Sequence, residues 1–405
     1  MAALFSRATL DACLPAMLAD AALACTPADS ATMLSTGVAF YSVGKLFGGT
    51  ICDVLGAKKT FTATVLNSGL MCLIVSFSSN MRTMGLWWGI SRAGGACYWP
   101  AMIKLTSSWW DDSSFGEAWS LLTTSSRLGA IVGGLTASIV LRMSSWRTIM
   151  RIASVNLLVM GTIELLFLRQ GPVIRTVSQH KNNAEMQHAI KPPPQAASFA
   201  GALRKLLFDQ RVFLTFASQS CTLPLLELNS LIPLFLVQSA RVTPSTASTL
   251  AIAYPVGAMI SMVLSGRLFT KLSDAGRATM FAAQGALGFV ALQVLSMPQL
   301  ASSVVVNCAA LAATMLGMAP TIFLAPSTLL TRYSSSRVQG TMSGLVEVPG
   351  YVTSMLFLRI YPQILERGGW QLLMRVMQLG VVGGAVCNAA VWRMEAKNPT
   401  TAPIA

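Results

Sequence analysis

Tyr41-Ser-Val-Gly-Lys-Leu-Phe-Gly-Gly-Thr-Ile-Cys-Asp-Val-Leu-Gly-Ala-Lys-Lys-Thr60 decides the fold. The stretch begins as apolar helix carrying one lysine, Lys45, and leaves that helix through Gly49-x-x-x-Asp53-x-x-Gly56-x-Lys58-Lys59. An acid, a glycine and a basic pair at that spacing make a tight polar turn between two long hydrophobic segments. Small glycines let helices approach closely, and Asp53 can cap a helix end or pair with a cation across the turn. The basic pair marks the side of a membrane on which such a turn lies.

Composition puts the turn in that setting. Hydrophobic residues make up 53% of the 405 and charged residues 11%, against roughly 25% charge in soluble domains. So few charges cannot dress the surface of a soluble chain this long, and lipid has to cover much of it. The apolar runs suffice for a hydrocarbon layer of ~30 Å, which takes about 20 helical residues. Regular period-two alternation is missing, which argues against a membrane β-barrel. The net charge of +14 sits mostly in short loops, not in a stripe interleaved with aromatics. It therefore orients a membrane protein and does not mark a nucleic-acid surface. The eight cysteines stand singly with no C-x-x-C spacing, and the two histidines, His180 and His188, share one polar loop. Neither a disulfide framework nor a metal site is expected, and no cofactor is implied.

Twelve apolar segments can be placed, near 4–24, 33–52, 60–79, 83–107, 117–140, 147–168, 211–237, 245–269, 277–296, 301–325, 340–360 and 370–393. The expectation is an all-α membrane protein of twelve transmembrane helices in two six-helix halves. The halves take residues 1–169 and 211–395, with a linker at 170–210 that contains Pro192-Pro193-Pro194 and a tail at 396–405. Arg7 and Asp11 interrupt the first segment, which reads as a membrane helix shortened at its start and not as a signal peptide. Alternating the spans puts Lys58, Lys59, the linker cations, Arg267, Lys271, Arg277, Arg332, Arg337, Arg393 and Lys397 on one side. Arg82, Arg142, Arg147, Arg241 and Arg367 fall on the other. That excess predicts cytoplasmic termini and a cytoplasmic linker, and leaves the membrane open, with the endoplasmic reticulum and the plasma membrane both compatible. After the eighth segment, Gly266-Arg-Leu-Phe-Thr-Lys-Leu-Ser-Asp274-Ala-Gly276-Arg277 is a looser copy of the opening motif, in register with it.

Gly49 to Lys59 resembles the loop between the second and third helices of major facilitator superfamily transporters. Six spans, a polar linker and six more is that superfamily's layout. The resemblance implies a gating role for Gly49, Asp53, Gly56, Lys58 and Lys59, and in the second half for Asp274 and Arg277.

Ionisable residues inside spans are expensive in lipid and mark function by default. The first half holds Arg7, Lys45, Arg92, Lys104 and Arg127. A cavity lined by several cations attracts an anion: arginine offers a planar fork suited to phosphate or carboxylate, lysine a point charge. The competing reading is that some of them snorkel to an interface or pair with acids such as Asp11 or Glu164. Glu227 and Glu347 put acids on the seventh and eleventh spans, where they neutralise these cations, couple protons or bind a substrate amine. Alternatively they lie near helix ends, solvated or paired with Arg241. Gly129, Gly133 and Gly134 have the spacing of close helix packing. Trp87, Trp88, Trp109 and Trp110 read as interface anchors, and Trp99 beside Pro100 as a candidate for the cavity wall.

Gly95-Ala-Cys-Tyr-Trp99-Pro-Ala-Met-Ile-Lys104, Trp109-Trp110 and Ser114-Phe-Gly-Glu-Ala-Trp-Ser-Leu-Leu-Thr-Thr-Ser-Ser126-Arg-Leu-Gly129 are similar to the organophosphate:phosphate antiporter family. Ser145-Trp146-Arg147 and Arg7-x7-Pro15 match it as well. The likeness covers residues 7–168 well and the second half mostly in layout. It implies that Arg7 binds a phosphoryl group, and Lys45 and Lys104 fall where the family also has lysines. A second phosphate-binding arginine, found in the seventh helix of a bacterial member, aligns with Leu225. That member's fifth-helix histidine aligns with about Ser126.

The candidate substrate-binding set is therefore Arg7, Lys45, Trp99, Lys104, Ser126 and Arg127, with Arg92, Glu227 and Glu347 as coupling or substrate residues. The expected activity is alternating-access transport of a small organic anion, a sugar phosphate exchanged for inorganic phosphate, by a monomer in the bilayer. Proton-coupled transport of a carboxylate or other metabolite, and a non-transporting sensor, stand as alternatives. No nucleophile–base set, phosphate-cradling loop or metal-ligand spacing points to an enzyme.

Overall fold

Helix boundaries in the computed structural model, which describes residues 2–23, 25–110, 112–169, 171, 208–333 and 339–398, follow local capping chemistry. The first span is Ala2–Leu18, shorter than the expected 4–24. The chain turns after it, and the Asp20 carboxylate accepts the Ala22 N–H at 3.0 Å. The second span, Pro27–Leu55, starts earlier than expected because Thr26 and Asp29 build a capping box. Thr26 Oγ1 accepts the Asp29 N–H at 3.2 Å while the Asp29 carboxylate accepts the Thr26 N–H at 3.0 Å. Those bonds satisfy two donors that a helix start leaves free, and Pro27 in the first turn has no N–H to lose. The span ends at Gly56, whose φ of 85° suits glycine alone, so the third span, Ala57–Phe77, begins at once.

The fourth span is two helices, Met81–Gly95 and Tyr98–Ser107; the fifth and sixth are Asp112–Met143 and Trp146–Phe167. In the second half the seventh is Gln210–Ser239, and the eighth is Pro244–Leu250 followed by Ala253–Lys271. The ninth is Asp274–Leu295, followed by the short helix Pro298–Ala301. The tenth is Val304–Ala319, a π-helical turn at Pro320–Leu324 and Ala325–Tyr333. The eleventh and twelfth form one run, Gln339–Lys397, broken at Gly368 and Gly369. No strand occurs among the described residues. Outward faces of these spans are apolar: Val155, Phe167, Val290, Leu379 and Val386 are all exposed, as lipid contact requires.

The two halves repeat one packing device. A Cβ on Gly44 of the second span would lie 2.4 Å from the Ala93 carbonyl oxygen of the fourth. A Cβ on Gly257 of the eighth would lie 2.1 Å from the Ala312 carbonyl oxygen of the tenth. Backbone meets backbone at corresponding places, so neither position admits a side chain. The looser motif copy also has a structural basis. Arg277 Nη1 lies 2.6 Å from Asp274 and its Nε donates to the Phe269 carbonyl at 3.1 Å. Its guanidinium also sits over the Phe269 and Trp392 rings, tying the eighth, ninth and twelfth spans together.

Among the contacts that join the halves, two seams differ in kind. The second and eleventh spans meet along their length, through the Ser30 and Tyr361 hydroxyls at 2.6 Å, the Tyr41 and Tyr351 rings at 4.9 Å, and Lys45 and Glu347. The fifth and eighth spans meet at Ser138 and Thr249, whose hydroxyls are 2.5 Å apart, and where Gly134 faces Ile252. Beyond that contact they line the central cavity, through Ser126, Arg127 and Ala130 on one side and Pro255 and Ala258 on the other.

Candidate functional site

The cavity between the halves has a volume of about 180 Å³. The first span offers Arg7 and Asp11, one turn apart and so on one face. Tyr41 comes from the second span, Trp88, Arg92 and Trp99 from the fourth, Ser126 and Arg127 from the fifth. The second half answers with Asn229, Tyr254, Phe323 and Tyr351.

Charge is matched across the halves. Arg7 Nη2 donates to Glu227 Oε2 at 2.8 Å, and Arg7 Nε lies 3.8 Å from Asp11. Asp11 in turn accepts from Ser230 Oγ at 2.7 Å and from Asn229 Nδ2 at 3.3 Å, both on the seventh span. Lys45 Nζ lies 2.9 Å from Glu347 Oε2. Glu227 is therefore buried and paired with a first-half cation, not solvated, and Glu347 pairs with Lys45, not with Arg241. The reason lies in helix placement: the seventh span packs on the first and the eleventh on the second, so acids bare in isolation meet the opposite half's cations.

Two cavity cations are held differently. The Arg92 guanidinium carbon lies 4.5 Å from the centre of the Tyr41 ring, and that of Arg127 lies 4.4 Å from the centre of the Phe323 ring. Neither has a carboxylate partner among the described residues. Tyr41 also carries Lys45 Nζ at 5.6 Å. Its ring therefore contacts two cations and touches Tyr351 edge-on from the other half. The aromatic faces supply electron density but no formal charge, leaving the arginines' positive charge available to an anion.

Arg7, Arg92, Trp99, Ser126 and Arg127 line the cavity, Lys45, Glu227 and Glu347 lie outside its lining, and Lys104, Trp87 and Trp88 do not fit their expected places. Lys104 lies off the cavity and is exposed, at the end of its helix. It follows Trp99 by five residues, a rotation of about 140° at 3.6 residues per turn, so the two cannot share a wall. Trp88, expected at the membrane interface, is buried and lines the cavity, and Trp87 packs against the core. Trp109 and Trp110 are exposed, with Trp109 Nε1 donating to the Arg169 carbonyl at 3.1 Å. Trp99, Ser126, Arg92 and Arg127 all line the cavity, whereas Arg7 and Lys45 are committed to acids. Of the motif residues, Gly49 has open space where a side chain would project, Lys59 is exposed and Lys58 half-buried. The Asp53 side chain, the Ser114 to Trp119 side chains, residues 172–207 of the linker and the tail from 399 lie outside the described residues. Sequence reasoning missed Tyr41, Tyr351 and Phe323. The available signal was the four-residue spacing of Tyr41 to Lys45 and of Glu347 to Tyr351, which stacks each pair on one helix face.

Comparison with known proteins then fixes the family. The Major Facilitator Superfamily model matches residues 1–401. The chain belongs to the Major Facilitator Superfamily. Its architecture is that of this superfamily's solved structures: a crystal structure of a D-xylose-proton symporter superposes with a TM-score of 0.70 at 10% identity, covering 95% of this chain and 94% of that one. At that identity the likeness concerns fold. Among curated relatives, a probable hexose phosphate transport protein of Chlamydia pneumoniae is 22% identical over 289 residues, 68% of this chain and 63% of its own length. The glucose-6-phosphate exchanger SLC37A2 of Xenopus laevis is 20% identical over 273 residues, 56% of this chain and 52% of that protein. The membrane sensor protein UhpC of Escherichia coli is 21% identical over 283 residues, 68% of this chain and 63% of that protein. The chain thus spans less than two thirds of each of these relatives. It is a multi-pass membrane protein of this superfamily.

Proposed function

We propose that this transporter carries a small organic anion, most concretely a sugar phosphate or related phosphate ester exchanged for inorganic phosphate. The observation that carries the reading is the placement of Arg92 and Arg127 on the cavity wall against rings and not against carboxylates. A phosphoryl group between their planar forks would gain charge-assisted hydrogen bonds that the resting site does not supply. Ser126 would add a hydroxyl, and Trp99 apolar surface for the rest of the substrate. The relatives described as hexose phosphate and glucose-6-phosphate carriers support the same class.

In this reading Arg7 and Lys45 do not grip the substrate in the state described. They hold the halves, 1–169 and 211–395, together through Glu227 and Glu347, and the pairs exchange partners as the halves rock about the site. Gly49, Asp53, Gly56, Lys58 and Lys59, with Asp274 and Arg277, serve as a latch between spans. The termini face the cytoplasm, and a monomer in the plasma membrane or endoplasmic reticulum is the working unit.

A second reading, proton-coupled uptake of a carboxylate, draws on Glu227, whose Oε1 is buried with no hydrogen-bond partner. Such an oxygen is a ready proton acceptor once Arg7 moves away. Reconstitution into proteoliposomes separates the readings. Glucose 6-phosphate uptake stimulated by internal phosphate is the expected result, and the absence of stimulation by any sugar phosphate sinks the exchange. Uptake driven by a pH gradient and lost in Glu227→Gln or Glu347→Gln would establish the proton reading instead. Ligand binding with no counterflow would point to a sensor, the description given to the UhpC relative.

A further inference from the structure

The tenth span does not run as a plain α-helix past the cavity. At Pro320–Leu324 it widens into a π-helical turn, with the Ala325 N–H reaching the Pro320 carbonyl. Turns of this kind add a residue to the helix, re-aim one side chain and occur frequently at functional sites. Here the residue at the cavity is Phe323, and its ring lies under the Arg127 guanidinium, 4.4 Å from carbon to ring centre. The neighbouring Ile322 carbonyl accepts from Gln219 Nε2 of the seventh span at 3.5 Å, so the turn is braced from behind. Arg127 belongs to the first half and Phe323 to the second. The contact therefore crosses between the two bodies that must move.

We propose that Phe323 is the positioning residue for Arg127, holding its guanidinium plane at the cavity while an anion binds its free edges. Stacking on a ring fixes the plane of the fork while leaving its N–H edges free for a bidentate acceptor. A long arginine side chain without that ring would sample many rotamers, and the anion would have to order it on binding. Because the ring comes from the opposite half, the fork stays ordered only while the halves keep this contact, so an anion bound to it favours the state in which they do. Occupancy would then bias the conformational equilibrium through a difference in contacts, as any ligand-driven switch requires. This inference rests on the anion-transport reading for its ligand class, but it concerns binding and has a test that needs no transport.

The test is protection of Arg127 against phenylglyoxal in the detergent-purified full chain, read by mass spectrometry with inorganic phosphate as the competing anion. Phosphate should protect Arg127 in the unmodified protein. Phe323→Leu, which keeps apolar volume and removes the ring, should raise the half-protecting phosphate concentration roughly 2- to 13-fold, the cost of ordering one long side chain on binding. Phe323→Trp should restore it, which a merely space-filling role would not explain. Equal half-protecting concentrations for the Leu variant and the unmodified protein overturn the proposal, as does failure of both phosphate and glucose 6-phosphate to protect Arg127. Protection that behaves as expected beside an absence of exchange in proteoliposomes overturns the transport reading and leaves the role of Phe323 standing.

Discussion

Breaking the ion pair between Arg7 and Glu227 from its two ends should have unequal effects. The pair is closed at 2.8 Å, with side-chain exposures of 20% for Arg7 and 4% for Glu227. Removing one member of a buried pair typically destabilises by about 3–5 kcal/mol, because the survivor is left charged and desolvated. Glu227→Gln leaves Arg7 with a second acid, Asp11 at 3.8 Å, so its effect should fall below that range, at about 2 kcal/mol. Arg7→Met leaves Glu227 with no ion-pair partner among the described residues, Arg92 acting on it only at longer range, and its Oε1 already lacks a hydrogen-bond partner. That variant should lose the full ~3–5 kcal/mol. The double variant should recover about 2–3 kcal/mol relative to the sum, the coupling expected of a close, desolvated charge pair. The Lys45–Glu347 pair is equally short, but Glu347 is 30% exposed, and its coupling should be about 1 kcal/mol or less. Unfolding titrations of the full chain in mixed micelles, run as two double-mutant cycles, measure all of this. The reasoning is refuted if Glu227→Gln destabilises as much as Arg7→Met, or if the Lys45–Glu347 coupling equals the Arg7–Glu227 coupling.

Three further outcomes follow from the same geometry. Arg92→Gln and Arg127→Gln should each raise the half-saturating anion concentration by roughly 10- to 100-fold, the loss of one charge-assisted hydrogen bond. Lys104→Gln, off the cavity, should leave that concentration within about twofold, and equal effects at all three positions in counterflow assays would contradict the placement. Arg277→Lys should destabilise nearly as much as Arg277→Ala, by about 1.5–3 kcal/mol in the same micelle titration, because Nε and Nη1 act at once and an ammonium reproduces only one bond. A lysine that restores stability refutes the two-bond account. Asp20, in the turn after the first span, is held below the usual carboxylate range by hydrogen bonds from Trp146 Nε1 and Arg147. Its stabilisation is therefore complete above the unfolded carboxylate value and is lost as pH falls through the lower folded value. Stability differences between the unmodified protein and Asp20→Asn, read across acid pH, should shrink toward zero in that direction, and a difference that grows on acidification contradicts the sign.

What the sequence determined by itself was the membrane class and the order of spans, because these rest on local properties. Low charge content, apolar runs of spanning length and the Gly49–Lys59 turn act over a few residues each, and no distant contact can reverse them. The superfamily was legible for the same reason. The start of the second span was placed too late, at 33, although Thr26 with Asp29 forms a capping box before the apolar run. The roles of the charged residues were not legible, because each depends on which half faces it. Arg7, Lys45, Arg92 and Arg127 look alike as cations in apolar segments. Only packing of the seventh span on the first, and the eleventh on the second, gives two of them carboxylates and leaves the other two on aromatic rings. Lys104 shows the limit from the other side, since five residues of helix turn it away from the wall that Trp99 forms. Burial and pairing are properties of opposing surfaces, and one strand of sequence carries only one surface of each pair. The Gly56 turn ends the second span and starts the third; the tertiary contacts decide which charges are spent on each other and which stand ready for a ligand.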